Sequence, residues 1–345
     1  AAGWKSLFFR PERFTPDPAR SELWNRGAYL ANGPAHCVAC HSPRNLLGAV
    51  EAMSMEFGDE IISHLECIRF DGKLTASGLP MIRFSSAGRL GDIIARWADG
   101  LEEGWPGWAL SNHDVARIAT RWSAAIGASE PRTAVLCLAL LTTLRGTIFI
   151  YQGEELGLPQ ADVPFERLQD PWGIAGWPQN KGRDGCRTPM PWNASTDGGF
   201  SPGSPWLPIA DPHLALAADV QERQPQSVLA IAKVLVSLRR MFPALRPGAL
   251  SLVPQTAQGV LAFTRGSGEE AFLCAFNFSD ASVDVETGLD ERLDRVFGAG
   301  QAREGRVVVP AHGVYIGRRP EAGLREPAGD GERLLAEAAA LPIPD

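Results

Sequence analysis

The sequence has few cysteines and no long run of basic residues. Six cysteines scattered over 345 residues are too few for the disulfide framework of a small secreted domain. The 33 Lys and Arg residues are outnumbered by 40 Asp and Glu residues, which gives a net charge of −7. No basic run is longer than a pair. The charge pattern therefore excludes the electrostatic footprint of a protein that binds nucleic acid or an anionic membrane.

Long apolar runs are also missing. The longest apolar stretch, residues 134–144, is shorter than the roughly 20 residues that a membrane-spanning helix needs. It predicts a buried core helix, and no direct membrane span is expected. The first residues contain no apolar core followed by a small-residue cleavage site, so no signal peptide is predicted. A composition with 45% hydrophobic and 21% charged residues indicates an ordinary globular protein.

The residue patterns divide the chain into five segments. Residues 1–50 are rich in Pro, Arg and Asn, and residues 51–88 form a bridge without a clear period. Residues 89–247 alternate helical patterns with strand-like runs, whereas residues 248–319 indicate short strands separated by Gly turns. The last segment, residues 320–345, is rich in Ala, Pro and Glu and predicts a frayed end.

Two apolar strands are predicted to end abruptly in polar residues. The run at 105–110 leads to Asn112, His113 and Asp114, and the strand at 147–151 leads to the sequence QGEELG. In a parallel barrel the strand interiors are apolar, and the groups that bind or react stand at the carboxyl ends. The pattern therefore predicts that Asn112, His113 and Asp114 lie at the mouth of a site.

Helical spacing accompanies these strands. Residues 89–98 and 226–242 have the apolar period of amphipathic helices. In the second helix one apolar stripe, suited to packing on a barrel, is formed by Val228, Ile231, Leu235 and Leu238. Farther along the chain Phe272, Cys274 and Phe276 alternate with other residues and predict a half-buried antiparallel strand.

Three motifs occur in a characteristic order: SNHD at 111–114, YQGEELG at 151–157 and RDGCRTPMPW at 183–192. Together they resemble the second half of a family 13 glycoside hydrolase, an α-glucosidase. The resemblance spans about residues 89–319. It implies an α/β fold in which the last strand–helix units of a (β/α)₈ barrel are followed by a small antiparallel β-sandwich.

The same resemblance implies roles for four residues. In that family the Asp of SNHD is the third catalytic carboxylate, so Asp114 would stabilise the transition state. His113, Asn112 and Arg187 would bind the substrate. The implied activity is retaining cleavage of α-glucosyl bonds in oligosaccharides, and it needs no cofactor.

Retaining hydrolysis also needs a nucleophile and an acid, two carboxyl groups about 5–5.5 Å apart. The family places both upstream of SNHD, and no matching motif stands before residue 89. The sequence most similar to the family's nucleophile motif is IRFDG at 68–72, but only 42 residues separate Asp71 from His113. That distance is too short for the two barrel units expected between them, so we interpret Asp71 as an accidental match. The hydrolase is therefore expected to lack two of three catalytic carboxylates.

Other residues near the motifs have simpler interpretations. Glu154 and Glu155 are interpreted as a solvated pair in a loop. Trp172 and Trp177 lie in a loop rich in Gly and Pro and are candidates for sugar contact, although a Trp more often packs in a core or at a rim.

A motif of a different chemistry stands near the start. CVACH at 37–41 fits the C-x-x-C-H pattern of covalent haem attachment. Its surroundings resemble a haem segment of the cytochrome c subunits of bacterial membrane-bound alcohol and sugar dehydrogenases. The resemblance implies haem c on Cys37 and Cys40, iron ligation by His41, a mainly helical or coil segment and a dehydrogenase partner. A zinc half-site or free thiols are the alternative, but a second Cys pair is missing.

Three functions stay open at this point. The chain is an α-glucosidase-like hydrolase acting on α-glucoside oligosaccharides, a c-type cytochrome electron-transfer fragment, or a non-catalytic sugar-binding remnant. A cytoplasmic location is expected if the glycosidase part dominates, and a periplasmic one if haem is attached.

Overall fold

The structure is a computed structural model. It describes Pro18 and the ranges 69–74, 80–83, 86–99, 106–267, 270–288, 293–303, 305–319 and 330–344. The chain divides into two units, residues 1–66 and 67–345. Every described residue except Pro18 belongs to the second unit, and the fold described below is that of the second unit alone.

Eight α-helices and twelve β-strands fall within the described ranges. The helices are α1 (Ala87–Asp99), α2 (Ile118–Ile126), α3 (Glu130–Thr143), α4 (Pro171–Gly176), α5 (Asp211–Ala215), α6 (Ala218–Glu222), α7 (Val228–Met241) and α8 (Asp330–Ala340). The first four strands are β1 (Arg69–Leu74), β2 (Pro80–Arg83), β3 (Gly107–Ala109) and β4 (Thr147–Phe149). The others are β5 (Leu250–Leu252), β6 (Val260–Ser267), β7 (Glu270–Asn277), β8 (Val283–Glu286), β9 (Asp294–Gly298), β10 (Gln301–Arg303), β11 (Arg306–Val309) and β12 (Val314–Arg318).

Strands β3 and β4 form a parallel pair, with Gly107 opposite Thr147. Parallel neighbours need a long crossover, which α2 and α3 provide here. The pairing begins one residue earlier, where the Thr147 N–H donates to the Pro106 carbonyl at 2.8 Å. Gly146 makes this approach possible, because its φ is 118° and a Cβ there would lie 2.2 Å from the Pro106 oxygen. The predicted strands and helices of the barrel-type segment are thus confirmed in kind and order.

The bridge before α1 contains two strands that the sequence did not predict. Strands β1 and β2 pair antiparallel, with Phe70 opposite Ile82. Asp71 lies within β1.

Helix α3 is the predicted core helix. Ser129 caps its first turn by accepting a hydrogen bond from the Arg132 N–H at 3.3 Å. Its residues from Thr133 to Thr143 are all buried. Within the described ranges no single helix is long and apolar enough to cross a membrane, although α2 and α3, which meet at a bend of 107°, would pass that test as a pair by length and composition.

The region after α7 is a β-sandwich of two antiparallel sheets, as predicted. One sheet has the strand order β5-β6-β7-β12-β9, and the other has the order β10-β11-β8. Strand β7 is buried on both faces: Phe272 and Phe276 pack in the core that contains the helices, whereas Leu273 packs in the core between the sheets. The prediction of a half-buried strand was therefore wrong, because the larger sheet is covered by helices as well as by the second sheet.

One hydrophobic core joins the helices to the larger sheet. All four residues of the predicted stripe on α7, Val228, Ile231, Leu235 and Leu238, are buried in it. Two buried arginines reinforce this junction. Arg239 donates to the carbonyls of Thr142 and Leu144 at 2.7 Å, and Arg265 donates to the carbonyl of Gly248 at 3.0 Å. The Arg239 bonds hold the turn that leads into β4, and the Arg265 bond holds the segment that leads into β5.

The end of the chain also differs from expectation. Residues 330–340 form α8 rather than a frayed end. Ala338 is fully buried, and Leu334 and Leu335 pack against the core. The helix contacts α7 and β9. A short helix of this kind is stabilised by packing more than by its own propensity.

Candidate functional site

The candidate site lies where β3 and β4 end. The two strands are parallel, so SNHD and YQGEELG, which follow them, leave the sheet at the same edge. The Asn112 side-chain oxygen accepts a hydrogen bond from the Asp114 N–H at 2.8 Å. This Asx turn is a local structure that such a sequence adopts in many loops. Here it presents the His113 and Asp114 side chains at the strand end.

Asp114 is held by two arginines. Its Oδ1 atom accepts hydrogen bonds from Arg183 Nη1 and from Arg187 Nη2, each at 3.0 Å. The Asp114 side chain is 51% exposed, whereas those of Arg183 and Arg187 are 27% and 19% exposed. The carboxylate therefore faces solvent while the cations that orient it are largely enclosed by protein.

His113 and Arg187 complete this group. The His113 Nε2 atom lies 3.4 Å from Asp114 Oδ2, and the His113 carbonyl accepts a hydrogen bond from Arg187 Nε at 2.7 Å. Arg187 thus binds both the backbone and the carboxylate of the SNHD turn. The structure brings together Asn112, His113, Asp114 and Arg187, the four residues that the resemblance implied.

Sequence reasoning missed Arg183 and its partner Asp170. Asp170 has no exposed side-chain surface. It accepts hydrogen bonds from Arg183 Nε at 3.0 Å and from Arg183 Nη2 at 2.9 Å. Hydrogen bonds from Arg183 are the main cause that lowers the pKa of Asp170 to about 2. The only sequence signal for Arg183 was its place at i−4 from Arg187 in one motif, and nothing pointed to Asp170.

One of the two candidate tryptophans lies against Arg183. The Arg183 guanidinium lies 4.7 Å from the centre of the Trp172 ring, and Trp172 is 53% exposed. Trp177 instead packs against Phe165, with ring centres 5.5 Å apart. Of the two tryptophans considered for sugar contact, Trp172 therefore lies next to the site residues, whereas Trp177 packs within its own loop.

The second and third motifs are joined directly. The Tyr151 hydroxyl donates to the Cys186 carbonyl at 3.0 Å, and the Gln152 amide donates to the Thr188 carbonyl at 3.3 Å. The loop after β4 is thereby fastened to the loop that carries the two arginines. All three motifs contribute to one site.

Glu154 is not the solvated residue that the sequence suggested. It is 7% exposed, and its Oε2 atom accepts a hydrogen bond from the Tyr151 N–H at 2.8 Å. Burial raises the pKa of this carboxyl to about 7. Its neighbour Glu155 is half-buried. The interpretation was wrong because the loop folds back onto α2 and α3, which a local pattern does not reveal.

The predicted haem residues Cys37, Cys40 and His41 lie outside the described residues, so no geometry bears on them. Among the side chains that the structure describes, no group of three or more His, Cys, Asp and Glu could hold a metal ion.

Comparisons with known proteins agree with the three motifs. A family model described as the alpha-amylase catalytic domain matches residues 64–248. A probable alpha-glucosidase of Rhizobium meliloti (strain 1021) is 42% identical over 233 residues, which are 67% of this chain and 42% of that protein. A probable oligo-1,6-glucosidase 2 of Bacillus subtilis (strain 168) is 31% identical over 211 residues, with 55% and 37% of the two chains covered.

A solved structure has the same fold. The alpha-glucosyl transfer enzyme XgtA is 41% identical and superimposes with a TM-score of 0.61 over 68% of this chain and 44% of that chain. The chain spans between 34% and 54% of the length of four curated relatives that it matches. None of these comparisons supports a cytochrome c segment.

Proposed function

The chain belongs to the alpha-amylase family, and we propose that it provides the sugar-binding side of an α-glucosidase site that cleaves α-glucosyl bonds in oligosaccharides with retention. The observation that carries the proposal is the Asp114 carboxylate at the end of a parallel strand, held at 3.0 Å by Arg183 and by Arg187. Relatives described as an alpha-glucosidase and an oligo-1,6-glucosidase support the substrate class.

The arrangement suits binding of a sugar ring. Both arginines use Oδ1, so the Asp114 Oδ2 atom stays available as an acceptor for sugar hydroxyls beside the His113 ring. Glycosidic bonds break through a transition state with positive charge on the ring. An ionised carboxylate that is already oriented stabilises such charge without reorganising. We therefore assign Asp114 as the transition-state stabiliser and His113, Asn112 and Arg187 as substrate-binding residues.

For the chain by itself we expect sugar binding with little or no hydrolysis. Cleavage with retention needs a nucleophile and an acid, and the sequence before residue 89 has no motif for either carboxylate. A non-catalytic sugar-binding role is thus the part of the family activity that Asp114 and the arginines support on their own.

Calorimetric titration with maltose tests this proposal, combined with nitrophenol release from a nitrophenyl α-glucoside. The parent protein should bind maltose, and Asp114→Ala should remove the heat because the sugar loses its charged acceptor. The control Asp162→Ala removes an exposed carboxylate that forms an ion pair with Lys181 at 2.5 Å, and it should bind as the parent does. Absence of heat in the parent would contradict the proposal.

The haem-attachment motif supports a separate candidate function, electron transfer by a c-type cytochrome segment at Cys37, Cys40 and His41. It rests on the sequence motif alone. Expression with the periplasmic haem-attachment machinery should then give a Soret band that survives denaturation, and a protein without that band would rule the candidate out.

A further inference from the structure

Asp170 binds one edge of the Arg183 guanidinium, whose face lies over the Trp172 ring. Asp170 accepts hydrogen bonds from its Nε at 3.0 Å, from its Nη2 at 2.9 Å and from its backbone N–H at 2.7 Å. The remaining nitrogen, Nη1, donates to Asp114 at 3.0 Å. A planar guanidinium that is bound bidentately has little freedom to rotate. The direction of Nη1 is therefore set by Asp170.

Asp170 is itself held by further hydrogen bonds. Its backbone N–H donates to Asp184 Oδ2 at 2.8 Å, and its side chain caps α4 by accepting from the Trp172 N–H at 3.3 Å. Gly182 allows the chain to pass close by: its φ is 69°, and a Cβ there would lie 2.7 Å from Asp170 Oδ2. The anchor of Arg183 is thus a buried carboxylate within a tightly packed loop.

We propose that Asp170 is a positioning residue for the sugar-binding carboxylate Asp114 and that it acts through Arg183. The inference rests on the proposed function, because it concerns how the Asp114 carboxylate is oriented for the sugar. Asp170 needs no contact with the ligand. It keeps one guanidinium directed at an exposed carboxylate.

The physical reason lies in the exposure of Asp114. An ion pair at an exposed carboxylate contributes little when both partners must be ordered. When Asp170 has already ordered the arginine, only the Asp114 side chain remains to be fixed, and the entropy lost on pairing is smaller. A carboxylate held in this way meets the sugar in one orientation.

The first test needs no sugar. In protein labelled with ¹⁵N-arginine, the Arg183 Nε–H should exchange with solvent at least about tenfold more slowly than that of the exposed Arg167, since it is bonded to a buried carboxylate. The slow exchange should persist in Asp114→Asn and disappear in Asp170→Asn. Slow exchange in Asp170→Asn, or fast exchange in Asp114→Asn, would overturn the proposal. If Asp170→Asn does not fold, the exchange rate of the Arg183 Nε–H in Asp114→Asn alone decides: slow exchange supports the proposal and fast exchange overturns it.

The second test uses maltose affinity. Asp170→Asn and Arg183→Gln should each weaken binding by about tenfold, the usual effect of losing one charge-assisted hydrogen bond. The double variant should bind no more weakly than either single variant, because Asp170 acts only through Arg183. Losses that multiply in the double variant would show a general structural effect and refute the inference. Asp162→Asn, on the same loop system, should change nothing.

The two tests separate two failures. A parent protein that binds no maltose contradicts the proposed function, whereas the exchange of the Arg183 Nε–H still decides whether Asp170 positions the arginine.

Discussion

Replacing Glu154 by glutamine should stabilise the protein in alkaline solution and leave its stability unchanged near pH 4. Glu154 is 7% exposed, and burial, the largest cause, raises the pKa of its carboxyl from 4.5 to about 7. The hydrogen bond from the Tyr151 N–H at 2.8 Å favours the charged form, but it does not replace the hydration that burial removes.

The sign follows from proton binding. Between pH 4.5 and about 7 the folded protein keeps a proton on Glu154 that the unfolded chain has lost. A carboxyl whose pKa is raised on folding makes its full contribution below the unfolded pKa, and the contribution is lost as the pH rises through the folded pKa. At about 1.4 kcal/mol per pH unit, the contribution of Glu154 to the unfolding free energy falls by about 3 kcal/mol by pH 8.

Glutamine does not titrate and still offers an oxygen to the Tyr151 N–H. The Glu154→Gln variant should therefore exceed the parent by about 3 kcal/mol at pH 8 and match it near pH 4. Urea unfolding followed by tryptophan fluorescence at both pH values measures the difference directly. Other titrating groups are common to the two proteins, so they cancel in the comparison.

The control is Glu155→Gln, which removes the same charge one residue later from a half-buried position. It separates the effect of net charge from the effect of burying Glu154. Parallel pH profiles for the parent and Glu154→Gln would refute the reasoning, as would an equal gain in Glu155→Gln.

Two further predictions concern the supports of the site. Gly146→Ala should destabilise the protein by about 2–4 kcal/mol, because a Cβ would lie 2.2 Å from the Pro106 carbonyl oxygen. The control Gly127→Ala, at φ 75° with no atom within 4 Å of the new Cβ, should cost only about 1 kcal/mol. Equal losses of unfolding free energy in urea would contradict this prediction. His213, whose ring Nε2 is 2.9 Å from the Pro159 carbonyl, has its pKa lowered by burial to about 4. Relative to His213→Gln, the parent should therefore lose about 3 kcal/mol as the pH falls from 6.5 to 4. A stability difference between the two proteins that stays constant over this range would contradict the assignment.

Local patterns were enough to identify the strand ends. Apolar residues followed by Asn112, His113 and Asp114 predicted a strand that ends at a site, and β3 ends at Ala109 as this requires. The parallel pairing with β4 then follows from the two-helix crossover. These features depend on neighbours within a few residues, so they can be predicted from the sequence.

Local patterns did not identify the residues that hold Asp114. Asp114 and Arg183 are 69 residues apart, and Asp170 joins them from a third segment. Apart from the place of Arg183 four residues before Arg187, nothing in the spacing of Arg183 and Asp170 distinguishes them from other charged loop residues. Their meeting depends on how the loop after β4 folds over the ends of the strands.

Burial was misjudged for the same reason. Glu154 was expected in solvent and α8 as a frayed end, yet both pack against helices that are distant in sequence. The charge of Glu154 and the Ala-rich composition of the last segment are local properties. Neither shows which distant part of the chain packs against these residues.

By itself, the sequence determined the three motifs, the strands and helices that lead to the candidate site, and the polar residues at the strand end, because chemistry and local periodicity are properties of short segments. Only the tertiary structure decided that Arg183 and Arg187 meet on one oxygen of Asp114, that a buried Asp170 holds Arg183, and that Glu154 is removed from water. Burial and the direction of a hydrogen bond arise from the packing of segments far apart in the chain.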